Sequence, residues 1–291
     1  MLYCECEGHM GSEALALICG LAAAASFGTG DFLGGFATKR ISVFRVILIS
    51  QIFGLALLAG LAVALNETIP SGSNLAFGGL AGLFGTLGLT ALYIGLARGH
   101  MGIVAPVSAV VGATLPIIIG MFMEGAPPGG QIIGLLLGLC AIWYIAGEGS
   151  GTSIHPRALG LPVLAGMGFG FFFIFIDQVS ETAIFWPLVT ARLVSITMLS
   201  VFIMARRKKA AAPWNPGLLI IVLLAGIFDA AGNILFALAS SLGRLDISTT
   251  LTSLYPAGTV FLAWLILKER LAPRQWFGVV VALAALVLIA S

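Results

Sequence analysis

Residues 81 to 146 recur as residues 225 to 290 at a constant offset of 144 with no gap, which constrains this 291-residue chain more than any single motif in it. Gln131 answers Gln275, Gly134 answers Gly278, Gly88 answers Gly232 and Gly99 answers Gly243. Ala81-Gly82-x-Phe84 answers Ala225-Gly226-x-Phe228, and Ile145-Ala146 answers Ile289-Ala290. The chain is a duplicated unit. Two copies of one unit facing each other enclose a central cavity with two faces, an architecture suited to moving a solute rather than to soluble catalysis.

The medium follows from composition. A mean hydropathy of +1.10, with 59% hydrophobic and 9% charged residues, leaves too little charge to clothe a water-facing surface. A net charge of +2, without basic runs interleaved with stacking aromatics, sets nucleic acid aside as a partner. Cys4, Cys6, Cys19 and Cys140 show neither metal nor disulfide spacing. His100 and His155 fall in loops, so no metal and no cofactor is expected. The stretch around Cys4-x-Cys6 reads as an extension upstream of a start at Met10, and residues 1–13 are set apart from the fold.

A helix needs about 20 apolar residues to cross the hydrocarbon core. Ten such runs lie between polar or Gly/Pro breaks: 14–37, 45–65, 75–97, 103–123, 131–149, 158–177, 185–205, 217–241, 247–267 and 275–290. Turns are expected at Asn66 to Asn74, at Gly125 to Gly130, and at Gly149 to Pro156, the linker between halves. Five spans per half is an odd number, so the second copy lies inverted in the membrane relative to the first. Basic loop residues mark the cytoplasmic side. Ten spans put Lys39, Arg40, Arg45, Arg98, Arg157, Arg206, Arg207, Lys208, Lys209, Lys268, Arg270 and Arg274 on one side and Arg244 alone on the other. A missed helix would scramble that split, and it predicts both termini outside the cytoplasm.

Taken together, these residues resemble the ten-helix exporters of the drug/metabolite transporter superfamily, which carry two tandem EamA-type repeats. The likeness rests on Gly82 to Gly99 leading into a helix with Pro106 and Pro116, then Glu124 and Gln131-x-x-Gly134. In the second half it rests on Ser248 to Pro256, Lys268-Glu269-Arg270 and Gln275-x-x-Gly278. It implies alternating access around a central cavity and export of small organic molecules. One departure matters: the small four-helix exporters of that superfamily use a glutamate in mid-first-helix for proton and cation exchange, where this chain has Ala22 to Ala25. Asp31 is the acid of the first span, near its predicted cytoplasmic end.

An ionisable group in hydrocarbon is costly unless it meets a partner or a wet cavity, so each marks a candidate site. Asp229 lies near the middle of the eighth span with Asn233 one turn on. The two bind an amine or accept a proton in the cavity, or else Asp229 pairs with Arg192 to hold helices seven and eight in register. Arg192 either clamps a carboxylate through its fork or snorkels to the interface. Gln51 holds the corresponding place in the second span, as a site group or as interhelical glue. Thr86, Thr90 and Tyr93 share one stripe of the third span. Threonines in such helices often bond back to their own backbone, whereas a buried phenol needs a partner.

The ninth span is dense in hydroxyls from Ser248 to Ser253 and contains Pro256, which frees a carbonyl near Thr252. Thr252 and Ser253 are therefore assigned to the solute. Pro106 and Pro116 act alike in the fourth span, and discontinuous helices in both halves point to a transport site or to a packing kink. Asp31, inside the close-packing pattern Gly30-x-x-x-Gly34, is either a gate or coupling carboxylate or a hydrated end residue paired with Lys39 or Arg40. Trp143, Trp186 and Trp276 read as interface anchors, and Trp264 as deep enough to line the cavity.

The expectation is an all-α membrane protein of ten transmembrane helices in two inverted five-helix repeats around a central cavity, residues 14–149 and 158–291. It sits in the cell membrane, as an inner-membrane protein, and functions as a monomer with the lipid bilayer and a small-molecule solute as partners. The leading reading is a secondary exporter of amino acids or amphiphilic solutes, and not an enzyme. A membrane-embedded enzyme would need clustered acids or a nucleophile with a base, and a channel a continuous polar pore. No Gly-x-x-x-x-Gly-Lys-Ser/Thr motif supplies nucleotide energy.

Overall fold

The computed structural model describes residues 2–98, 101–124, 129–146, 159–205, 216–243, 245–268 and 273–290, all in or beside helices. The linker, His100, His155, Arg157, Arg206 to Lys209, Arg244 and Glu269-Arg270 lie outside the described residues. So do the side chains of Cys4, Cys6, Glu124, Gln131, Trp143 and Gln275. Eleven helices follow in order: α1 (Leu2–Thr38), α2 (Val43–Ala64), α3 (Gly72–Ala97), α4 (Met101–Glu124), α5 (Gly129–Ala146), α6 (Gly160–Ser180), α7 (Phe185–Ala205), α8 (Pro216–Leu242), α9 (Leu245–Thr252), α10 (Pro256–Leu267) and α11 (Pro273–Ala290).

Helices satisfy every backbone group internally, the condition for crossing lipid. Among the described residues seven stretches are long and apolar enough to cross: Ala14–Thr38, α2, α3, α6, α7, α8 and Ser248–Leu267. Shorter apolar stretches, Val104–Pro116 and Trp276–Ala285, lie in α4 and α11. Side chains such as Val63 and Met204 are 67% and 77% exposed, a surface that water would penalise and lipid does not. The protein is a multi-pass membrane protein.

Small residues set the packing. α1 packs on α8 as α6 packs on α3, while α2 packs on α7 and α5 on α11. Exchanging the halves maps this pairing onto itself. The contacts repeat at residue level: a methyl group on Gly82 would strike the backbone of Ala191 in α7, and one on Gly226 would lie 2.6 Å from the Ser50 carbonyl in α2. Likewise Gly88 faces the ring of Phe169 at 3.0 Å, and Gly232 faces that of Phe27 at 2.7 Å. Without a hydrophobic drive between helices in lipid, such close backbone approach is what makes association favourable.

One expectation changes and one is met. α1 is continuous from Leu2 to Thr38. The ninth span is two helices, α9 and α10, separated at Ser253 to Tyr255. There the ladder tightens to three-residue bonds, Leu254 N–H to Leu251 O at 3.1 Å and Tyr255 N–H to Thr252 O at 3.2 Å, and Pro256 begins the next helix. α4, by contrast, stays one helix through Pro106 and Pro116, so the discontinuity belongs to one half only.

One link between the halves was not read from the sequence. After Asn66, whose φ of 52° turns the chain, the Glu67 carboxylate accepts from the N–H groups of Ile184, Phe185 and Trp186 at 2.8, 3.0 and 2.8 Å. The Trp186 indole donates to the Glu67 carbonyl at 2.9 Å. A carboxylate on the first N–H groups of α7 satisfies otherwise orphaned donors and the helix dipole together.

Gly82→Ala and Gly226→Ala should each lower stability by about 1–3 kcal/mol, read as thermal melting in detergent. A neutral result for one beside a severe result for the other would contradict the shared packing. Glu67→Gln should cost about 1–2 kcal/mol in the same assay.

Candidate functional site

The polar centre forms where α2, α7 and α8 meet. Arg192 of α7 puts Nη1 2.7 Å from Asp229 Oδ2 of α8 and donates to Gln51 Oε1 of α2 at 2.5 Å. Gln51 Nε2 approaches the same Asp229 oxygen at 3.4 Å. Arg192 is only 6% exposed, so it does not snorkel. Its charge is held in the bundle by an opposite charge and an amide, as burial requires. Gly54, one turn after Gln51 on α2, leaves the room: a methyl there would lie 3.3 Å from Arg192 Nε.

A cavity opens beside this trio, lined by residues of α1, α2, α3, α6, α7 and α8 and by Tyr255 at the α9–α10 turn. Its polar lining is Asp31, Gln51, Thr86, Arg192, Ser195, Asp229, Asn233 and Tyr255, set among Phe27, Phe169, Phe172 and Phe173. Asn233 donates to the Asp229 carbonyl one turn earlier at 2.8 Å. Thr86 and Ser195 join α3 to α7 at 2.6 Å. Tyr255 and Ser108 of α4 share a bond of 2.5 Å, and the Phe169 ring stands edge-on to Tyr255 with centroids 6.4 Å apart.

Asp31 lies inward. It is 7% exposed and lines the cavity, so it is not a hydrated end residue beside Lys39 or Arg40. Gly30 explains the inward placement, since it lies against the backbone of α8, 3.3 Å from Asp229 N by the same methyl measure. Arg40 instead stacks over the Phe36 ring at 4.6 Å. Among the described residues the Asp31 carboxylate takes no hydrogen bond or ion pair, whereas Asp229 is neutralised by Arg192. The cavity therefore carries two carboxylates and one guanidinium, with one carboxylate uncompensated.

The structure brings together Asp31, Gln51, Thr86, Arg192, Asp229 and Asn233. Tyr93 is buried beside the cavity, its hydroxyl 3.4 Å from the Gly30 carbonyl and its ring in the space left by Gly34. Thr90, Thr252 and Ser253 lie off the cavity lining with buried, unbonded hydroxyls, and Pro106, Pro116 and Pro256 are absent from it. Trp264 is 52% exposed on the outer surface and does not reach the cavity. The sequence reading missed the phenylalanines, Ser195 and Tyr255. The repeat held a signal for two of them, because Phe27 and Phe169 occupy matching glycine contacts in α1 and α6.

Comparison with known proteins agrees with this architecture. A solved structure described only as "Crystal structure of protein" shares the fold with a TM-score of 0.69 at 14% identity, over 94% of this chain and 95% of that one. No curated protein matches the sequence. The sequence model of the EamA-like transporter family matches residues 157–291, the copy that supplies Arg192, Asp229 and Asn233. Over that second copy the chain is similar to the EamA-like transporters of the drug/metabolite transporter superfamily.

Proposed function

We propose that the protein is a secondary transporter that exports small organic solutes, amino acids or amphiphilic drug-like molecules, across the cell membrane by alternating access. Ten spans in two inverted five-helix halves, with both termini outside the cytoplasm, are part of this reading, as is a single chain acting as the functional unit. The observation that carries it is the cavity at the crossing of the two halves, where a buried ion pair and a free carboxylate stand among aromatic rings. A site of few polar groups in an apolar wall suits a small amphiphile.

The roles follow from the geometry. Arg192, Asp229 and Gln51 tie α7, α8 and α2 at the centre, so a solute group that competes for either charge loosens one half from the other. Asp31 meets the cationic end of the solute or a coupling proton, because its charge is uncompensated. Phe27, Phe169 and Phe172 supply apolar and cation–π contact, and Thr86, Ser195 and Asn233 orient the rest.

The test is flux in proteoliposomes with a panel of amino acids, nucleosides and cationic amphiphiles. Asp229→Asn leaves the guanidinium unpaired and should cost about 3–5 kcal/mol of stability, with flux reduced at least about tenfold. The double variant Asp229→Leu with Arg192→Met should recover most of that stability while flux stays lost. Recovery of flux together with stability would reduce the pair to a structural role. Asp31→Asn should keep the melting temperature, since it breaks no bond, and lower flux by about tenfold or more. Unchanged flux would remove Asp31 from the site.

A further inference from the structure

Hydroxyls in these helices usually satisfy themselves. Thr29, Thr114, Thr190 and Thr197 each donate to the carbonyl four residues back at 2.8, 2.7, 3.0 and 2.8 Å, and Ser50 and Ser108 to the carbonyl three back at 2.8 and 2.9 Å. α9 departs from this habit. Ser248, Thr249, Thr252 and Ser253 are each at most 1% exposed, and none of their hydroxyls has a hydrogen-bond partner. The spacing i, i+1, i+4, i+5 sets all four on one face of the helix. Leu251 occupies the flank beside it, packed against α1, where a methyl on Gly20 would lie 3.0 Å from Leu251 Cβ.

A buried polar group without a partner is costly, and four on one face are a feature to be accounted for. Back-bonding was open to these residues, and they do not use it. The face ends at Ser253, two residues before Tyr255, which lines the cavity. Between them runs the tightened turn at Leu254 and Tyr255, followed by Pro256, which has no N–H to carry the ladder on. The far side of that turn is anchored, since Thr259 of α10 donates to the Gly28 carbonyl of α1 at 3.1 Å. α9 thus meets the cavity through a weak joint whose other arm is fixed.

We propose that the hydroxyl face of α9 is a second solute-contact surface, closed in this conformation and turned towards the cavity by movement at Ser253 to Tyr255. There it takes the neutral hydrogen-bonding part of the solute, a hydroxyl, amide or carbonyl group. Hydroxyls both donate and accept and carry no charge, so this surface complements the ionic pole at Asp31, Arg192 and Asp229. The inference rests on the transport reading above and extends it to a solute with an ionic end and an uncharged polar end.

Water access tests it. Single cysteines at Thr249 and Ser253, in a chain with Cys4, Cys6, Cys19 and Cys140 replaced by serine, are exposed in proteoliposomes to a charged, water-soluble methanethiosulfonate reagent. Phe169→Cys is the cavity reference, and the chain with Cys4, Cys6 and Cys140 replaced by serine but Cys19, which is buried, retained is the closed reference. Both α9 thiols should react at least about tenfold faster than Cys19, because even a minor open population exposes them. Reaction no faster than Cys19 while Phe169→Cys reacts would overturn this inference and leave the transport reading standing. An unreactive Phe169→Cys would overturn both. As a second measure, Thr249→Val with Thr252→Val removes hydroxyls that this conformation leaves unbonded and should raise the melting temperature by about 2–4 °C. A fall would mean that the hydroxyls are satisfied structural groups, contrary to the inference.

Discussion

The buried contact of Arg192 with Asp229 and Gln51 is the constraint on which the rest of the arrangement depends. Neither a guanidinium nor a carboxylate is tolerated in hydrocarbon alone, so α7 and α8 must present these groups to each other, and α2 must supply the amide between them. Gln51 and Arg192 also hold corresponding places in the two copies and touch each other. Related positions meet where the halves exchange, so this polar contact lies at the centre of the duplicated packing. Glycines then bring the backbones close enough for short side chains to reach: Gly82 against Ala191, Gly226 against Ser50, and Gly54 beside the guanidinium.

Matched backbone packing with unlike side chains gives the site its character. Asp229 answers Gly85 in the repeat, and both line the cavity. One copy supplies a charge where the other supplies space. Asp31 comes from the first copy and Arg192 from the second, so the ionic groups are contributed unequally by halves whose frames match. The frame repeats between the halves, and the polar groups set in it do not.

Much of this was legible in the residues. The offset of 144 gave the duplicated frame because glycines at helix crossings cannot drift without a clash. Asp229, Arg192, Gln51 and Asn233 stood out because charge and amide are conspicuous in lipid. The errors share a physical origin. In a bilayer the lipid-facing and core-facing sides of a helix are both apolar, so periodicity does not say which side turns inward. Depth along its helix allows Trp264 to line the cavity, and it faces outward instead. Nearness to its helix end leaves Asp31 open between a gate and a hydrated end residue, and Gly30 and Gly34 draw that turn of α1 inward against α8 and Tyr93. The prolines predicted breaks in both halves, yet α4 passes through Pro106 and Pro116 while the chain breaks before Pro256.

The central claim is that two matched halves alternate around one buried polar contact, and distances across the two membrane faces test it most directly. Spin labels at Lys39 and Lys268 report on the face where α1 and α10 end, and labels at Thr68 and Glu181 on the face where Glu67 caps α7. Double electron–electron resonance in nanodiscs should give two distance populations on each face, with the longer one on one face rising as the longer one on the other falls when the pH or a bound solute is changed. A single unchanging distance on both faces would contradict the account.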